Sequence, residues 1–235
     1  MSLQNEKVIS ATLASIMFMG SVATSALAAT PPEVSATANS ISEISTELKQ
    51  KASPYITLEG FHFKLASEAT KELNADELTL VKGALKTANQ QARTILNDSH
   101  VRVTIDTNSI KVTPVQSSSE ITINSINTSS YWDYELLWWG YRIFLSHNLI
   151  EDVKSRPLYI AGSAAISTGL LNASLTYFGL PGWIANIIVG VTLVKGGTIL
   201  YADAGKGVYI DTFWSLPGSP SGVINFALSE VYAAW

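Results

Sequence analysis

The residues of this chain whose types could do chemistry are few. There are three histidines, His62, His100 and His147, and two close acidic pairs, Asp133/Glu135 and Glu151-Asp152. A catalytic metal needs ligands at helical spacing, and an acyl-transfer nucleophile needs an elbow motif with a histidine to serve it. No HExxH and no Gly-x-Ser-x-Gly elbow occurs, and the histidines read as hairpin, turn and strand-end residues with no ligand pair at i, i+4. Asp133 and Glu135 resemble the carboxylate pair of a glycoside hydrolase only in spacing, with no second cluster to support them. Glu151-Asp152 reads as a solvated helix start, favourable to the helix dipole. Gly205-Lys206-Gly207 is too short for a phosphate loop. The expectation is a protein that is not an enzyme, with no catalytic, cofactor or metal residue.

The chain has no cysteine and a net charge of −4, which exclude a thiolate metal site and argue against nucleic acid as a partner. Its unusual feature lies elsewhere. From Leu158 to Val194 there is no Asp, Glu, Lys or Arg, and Lys195 is the only such residue before Asp203. Gly179-Leu180-Pro181-Gly182 breaks this stretch with a strong turn signal. Two apolar helical segments, 158–178 and 183–202, are expected, each about the ~20 residues that span a bilayer core. In the first, Ala161, Ala165, Gly169 and Ala173 recur every fourth residue, a small-residue seam on which a second helix packs closely in lipid. Gly190 and Gly196 offer close approach from the second segment, Trp183 stands at its start as an interfacial aromatic, and Lys195 sits near its end.

The elements that must position this hairpin follow from periodicity. Residues 1–28 read as a signal peptide, with an apolar run and Ala26-Leu27-Ala28 before a cleavage site. Residues 29–54, rich in Ser, Thr, Ala and Pro, read as a linker or propeptide with a short helix over 42–50. A hairpin is expected over 55–65, turning at Glu59-Gly60. Asn74 to Leu96 reads as an amphipathic helix with a capping box from Asn74 and Glu77. Residues 101–126 alternate as a small antiparallel sheet. An aromatic block then runs from Tyr131 to Phe144. It reads as a strand over 136–145 that places Trp138 and Trp139 on opposite faces, one of them exposed as a contact residue. A short helix over 148–154, a closing strand over 206–214 that pairs back across the hairpin, and a short C-terminal helix complete the chain. The fold class is α+β: a small antiparallel sheet and an amphipathic helix, with a Gly/Ala-rich apolar helical hairpin inserted between two C-terminal strands. The regions expected are 55–130, an N-terminal α+β part, and 131–235, the aromatic strand, hairpin and closing strand.

The export signal, the YWDYELLWWGYRIFLS block at 131–146, the Gly/Ala-rich hairpin and the closing KGVYIDTFW at 206–214 together resemble secreted bacteriocin-like proteins of Gram-positive bacteria, including the large geobacillin type. The resemblance covers mainly 131–214. It implies a secreted antibacterial protein, partnered by a target-cell membrane or an envelope component, with self-association on the membrane left open. The acidic balance departs from cationic bacteriocins. The alternative expectation is a non-toxic secreted protein that binds or builds the envelope, with the hairpin as buried core.

Overall fold

The computed structural model describes residues 44–115, 131–155, 168–195, 198–214 and 224–235. The expected signal peptide, the stretch 29–43, the expected strand over 121–125 and the hairpin positions Ala161, Ala165 and Gly196 lie outside the described residues.

The chain is α+β. It enters as helix α1 (Thr46–Ala52), whose Ser45 side chain caps the Leu48 N–H. Ile44, Leu48 and Ala52 are buried, so residues 44–54 pack as core, with the short helix expected over 42–50 present as α1; residues 29–43 of the expected linker lie outside the described residues. The apolar residues of 44–54 are sparse but fall four apart, enough to bury one stripe. The hairpin β1 (Ile56–Glu59) and β2 (His62–Leu65) turns at Gly60, whose φ of +59° suits glycine. After the single turn α2 (Ala69–Glu72), α3 (Ala75–Leu96) starts on the expected capping box: Asn74 Oδ1 accepts from the Glu77 N–H, and Glu77 accepts from the Asn74 N–H. Leu80, Val81, Ala84, Leu85, Ala88, Ala92 and Ile95 form its buried face.

Six antiparallel strands follow in one sheet, ordered as in the sequence: β3 (Val101–Asp106), β4 (Ser109–Pro114), β5 (Trp132–Leu137), β6 (Gly140–Leu145), β7 (Val208–Trp214) and β8 (Ile224–Ala233). The β4–β5 pairing, with Val112 opposite Tyr134, carries the sheet across the expected boundary at 130/131. The described residues form one compact unit.

Between β6 and β7 the chain leaves the sheet, and the described residues there form α4 (His147–Lys154), α5 (Thr168–Tyr177), α6 (Gly182–Val194) and α7 (Thr198–Tyr201). It then returns to pair Val208 with Leu145. The strand–hairpin–strand arrangement is therefore present. Two details differ from expectation. The aromatic block is a hairpin, not one strand: Trp138-Trp139 is its two-residue turn. The C-terminal segment is strand β8, not a helix, because the open edge of β7 offers it a ladder of backbone partners.

Within the sheet, period two sorts the residues cleanly. Trp132, Tyr134 and Leu136 share one face with Tyr141, Ile143 and Leu145 and with Val208 and Ile210, and all are buried. The opposite face carries a cross-strand row of alternating charge: Lys111, Glu135, Arg142 and Asp211, then Glu230. Helix α1 lies over that row, Lys49 bonding to Asp211 and Thr46 donating to Glu230.

Candidate functional site

The apolar hairpin is seated on the first sheet face. Helix α6 buries Ile184, Ala185, Ile187, Ile188 and Val191, and α5 buries Leu171 and Leu175. Gly179, with φ of +79°, makes the turn between them, and Asn172 Nδ2 donates to Asn186 Oδ1 across the pair at 3.2 Å. Trp183 wedges its ring edge-on against Tyr134 at 5.1 Å and tilted against Tyr141 at 5.0 Å, yet remains 40 % exposed.

The small-residue seam is not where lipid rules place it. Gly169 and Ala173 are exposed, and a Cβ on Gly169 would meet nothing within 4 Å. In water the large apolar side chains take the core and the small ones face out, the reverse of packing in a bilayer. Gly190 does make a close approach, but to the sheet: its Cβ would lie 2.6 Å from the Phe226 ring. Phe226 belongs to an irregularity in β8, where residues 226–229 stand opposite Thr212 alone. That irregularity leaves backbone groups outside the ladder. Asn225 Oδ1 accepts from the Ala227 and Leu228 N–H groups, and Lys195 Nζ donates to the Ala227 carbonyl at 3.0 Å. Lys195 thus ties the end of α6 to the sheet.

The second segment is also short. Helix α6 has 13 residues, about 20 Å at ~1.5 Å per residue, against ~30 Å for a bilayer core; α5 is described from Thr168 to Tyr177, and residues 158–167 of the first expected segment lie outside the described residues. Helix α6 ends at Val194, with Lys195 at its C-terminal cap, and α7 begins at Thr198, so the second expected segment is described as two helices. Among the described residues no helix is long and apolar enough to cross a membrane.

Trp138 and Trp139 are both buried, at 4 % and 2 % exposure, so neither is the exposed contact residue expected of the pair. Trp138 Nε1 donates to Ser53 Oγ at 3.2 Å. Lys49 Nζ lies 3.9 Å over the Trp139 ring, which also packs on Phe213. Next to the turn, Gly140 lets β6 and β7 approach closely: a Cβ there would fall 1.8 Å from the Thr212 carbonyl oxygen.

The acidic pair of the aromatic block is held in ion pairs. Asp133 meets Lys111 at 3.0 Å and Glu135 meets Arg142 at 4.0 Å. Burial pushes the Glu135 carboxyl up, against the pull of Arg142 and Lys111. Asp211, 1 % exposed, accepts from Arg142 Nε at 2.8 Å and its terminal nitrogen at 3.0 Å, from Lys49 at 3.1 Å and from the Tyr232 hydroxyl at 3.2 Å. That hydrogen bonding pushes the Arg142 guanidinium further up. A buried carboxylate satisfied on every side is a structural anchor.

One histidine has acidic company. His62 lies 3.5 Å from Asn89 and His100 is an exposed turn residue. His147 Nδ1 lies 2.5 Å from Asp203 Oδ2, and Glu151 stands one helical turn on. Ligand atoms of the three all lie within 4.8 Å of one another. Sequence reading passed over the His147/Glu151 spacing by taking Glu151-Asp152 as solvated, and had no signal for Asp203, which is distant in sequence.

Comparison with family models, with curated proteins and with solved structures finds no match to the chain.

Proposed function

We propose that the protein is an exported, bacteriocin-like antibacterial that acts at the target-cell membrane by docking the outer face of its helical hairpin on the lipid surface. The observation that carries this reading is where apolar surface is left exposed. Ten large hydrophobic side chains are exposed among the described residues, and six of them fall between Leu170 and Tyr201. In that stretch Lys195 is the only charged residue, and its amine is turned onto the sheet. Aromatic and aliphatic groups on an uncharged surface favour the headgroup–acyl boundary.

Docking rather than spanning follows from magnitude. Stripping Leu171, Leu175, Ile184, Ile187, Ile188 and Val191 from the sheet costs roughly 9–18 kcal/mol at ~1.5–3 kcal/mol each. A whole domain is worth only about 5–15 kcal/mol. Release of the hairpin in water would therefore unfold the protein, so the hairpin meets lipid while still seated.

The second reading, a non-toxic envelope-binding or structural protein, draws support from the same inner face, because a hairpin this well buried already earns its place as core. Growth of Gram-positive indicator cells separates the two. Killing by the purified protein that is lost in Leu193→Ser/Val194→Ser supports the antibacterial reading. Envelope binding without killing supports the second.

A further inference from the structure

We infer that His147, Glu151 and Asp203 form a binding site for a divalent transition-metal ion, zinc or manganese by ligand chemistry, which staples the neck of the helical excursion between β6 and β7.

Asp203 is built for one direction of attack. Its side chain is 1 % exposed, and its Oδ1 accepts from the Gly205 and Gly207 N–H groups, each at 2.9 Å. Both glycines have positive φ, +92° and +105°, which curls the backbone so that two amides converge on one oxygen. The second oxygen is thereby aimed at His147 Nδ1. Burial pushes this carboxyl up, but the hydrogen bonds from His147 and the two glycine amides outweigh it and hold it below the ordinary range.

The other two ligands come from one helix. His147 and Glu151 are four apart on α4, so their side chains share a face. Both have open space in which to close on an ion: their side chains are 43 % and 51 % exposed. Glu151 must leave an exposed salt bridge to Lys154, which costs little. Metal–nitrogen and metal–oxygen bonds of about 2.0–2.2 Å in a tetrahedron set ligand atoms roughly 3.4 Å apart. The His147–Asp203 pair therefore opens by about 1 Å and Glu151 moves in by a similar amount. One imidazole and two carboxylates neutralise a divalent ion, water completes the shell, and calcium, which takes 6–8 oxygens, is disfavoured.

The location gives the ion a structural effect. His147 follows the end of β6 by two residues and Asp203 precedes β7 by five, and these strands pair at Leu145 and Val208. The site joins the two ends of the excursion where it leaves the sheet.

The test is metal binding to tag-free, chelator-treated full-length protein, by calorimetry with zinc and manganese chloride and by the visible spectrum of the cobalt form. The expected result is a single site, a Tm raised by several degrees on loading, and binding weakened at least about tenfold in Glu151→Gln and in His147→Ala. Glu151→Gln alters only an exposed side chain and keeps the His147–Asp203 bond, so loss there reports ligation and not misfolding. No binding, binding undiminished in Glu151→Gln, or tighter binding of calcium than of zinc would overturn the inference and leave His147–Asp203 as an ion pair.

Discussion

Gly140 shows how a single residue decides whether two strands meet. The missing side chain lets the Thr212 carbonyl sit where a Cβ would be, at 1.8 Å, and neither backbone can retreat without breaking the β6–β7 ladder. Gly140→Ala should cost at least about 3 kcal/mol, an overpacking penalty with backbone on both sides. Denaturant titration would show it as a lowered midpoint. At Asp203 the prediction concerns pH. Its folded-state pKa lies below the unfolded one, so its contribution is fully present above about pH 4 and is lost as pH falls through the lower, folded value. Asp203→Asn should lower Tm at pH 7 and show a shallower loss than wild type below pH 4, both read from thermal scans. A variant matching wild type at pH 7 would remove the linkage.

At the scale of elements, the hairpin was legible as a hairpin but not as a surface. Charge absence and the Gly179–Gly182 break located both helices, and the capping box located α3 to within a residue. What the pattern could not tell was which face is inside, because a helix with apolar residues all round has little periodicity to read. Gly169 and Ala173 face water, and Gly190 touches Phe226, a residue on a strand taken for helix. Substitution separates the glycines. Gly169→Ala should be neutral or stabilise by up to about 1 kcal/mol through helix propensity. Gly190→Ala must displace the Phe226 ring and should cost about 1–3 kcal/mol. Equal effects on Tm would contradict the seating of α6 on β8. The aromatic block was misread for a related reason: aromatic content favours strands, but turn residues at Trp138-Trp139 carry no Gly, Asn or Asp to mark them. Their turn is held by burial under α1, a contact that no local pattern reports.

For the whole molecule, the sheet is the organising body. Strand order follows chain order, so the β3–β4 hairpin and the aromatic block, read as separate regions, share one ladder, while β1 and β2 pair apart as a two-stranded sheet. The helical excursion between β6 and β7 carries six of the ten exposed large hydrophobic side chains among the described residues, and the His147–Asp203 contact lies at its base. The alternating charge row holds α1 through Asp211 and Glu230. Docking of the seated hairpin on lipid is read directly by co-sedimentation with vesicles. Wild type should pellet with vesicles at neutral and anionic compositions alike, since the surface is uncharged. Leu193→Ser/Val194→Ser, at positions 64 % and 54 % exposed, should keep its Tm and stay in the supernatant, while Leu96→Ser, an exposed apolar residue of α3, should pellet as wild type does. Wild type remaining in the supernatant, or a Leu193→Ser/Val194→Ser protein that pellets unchanged, would contradict it.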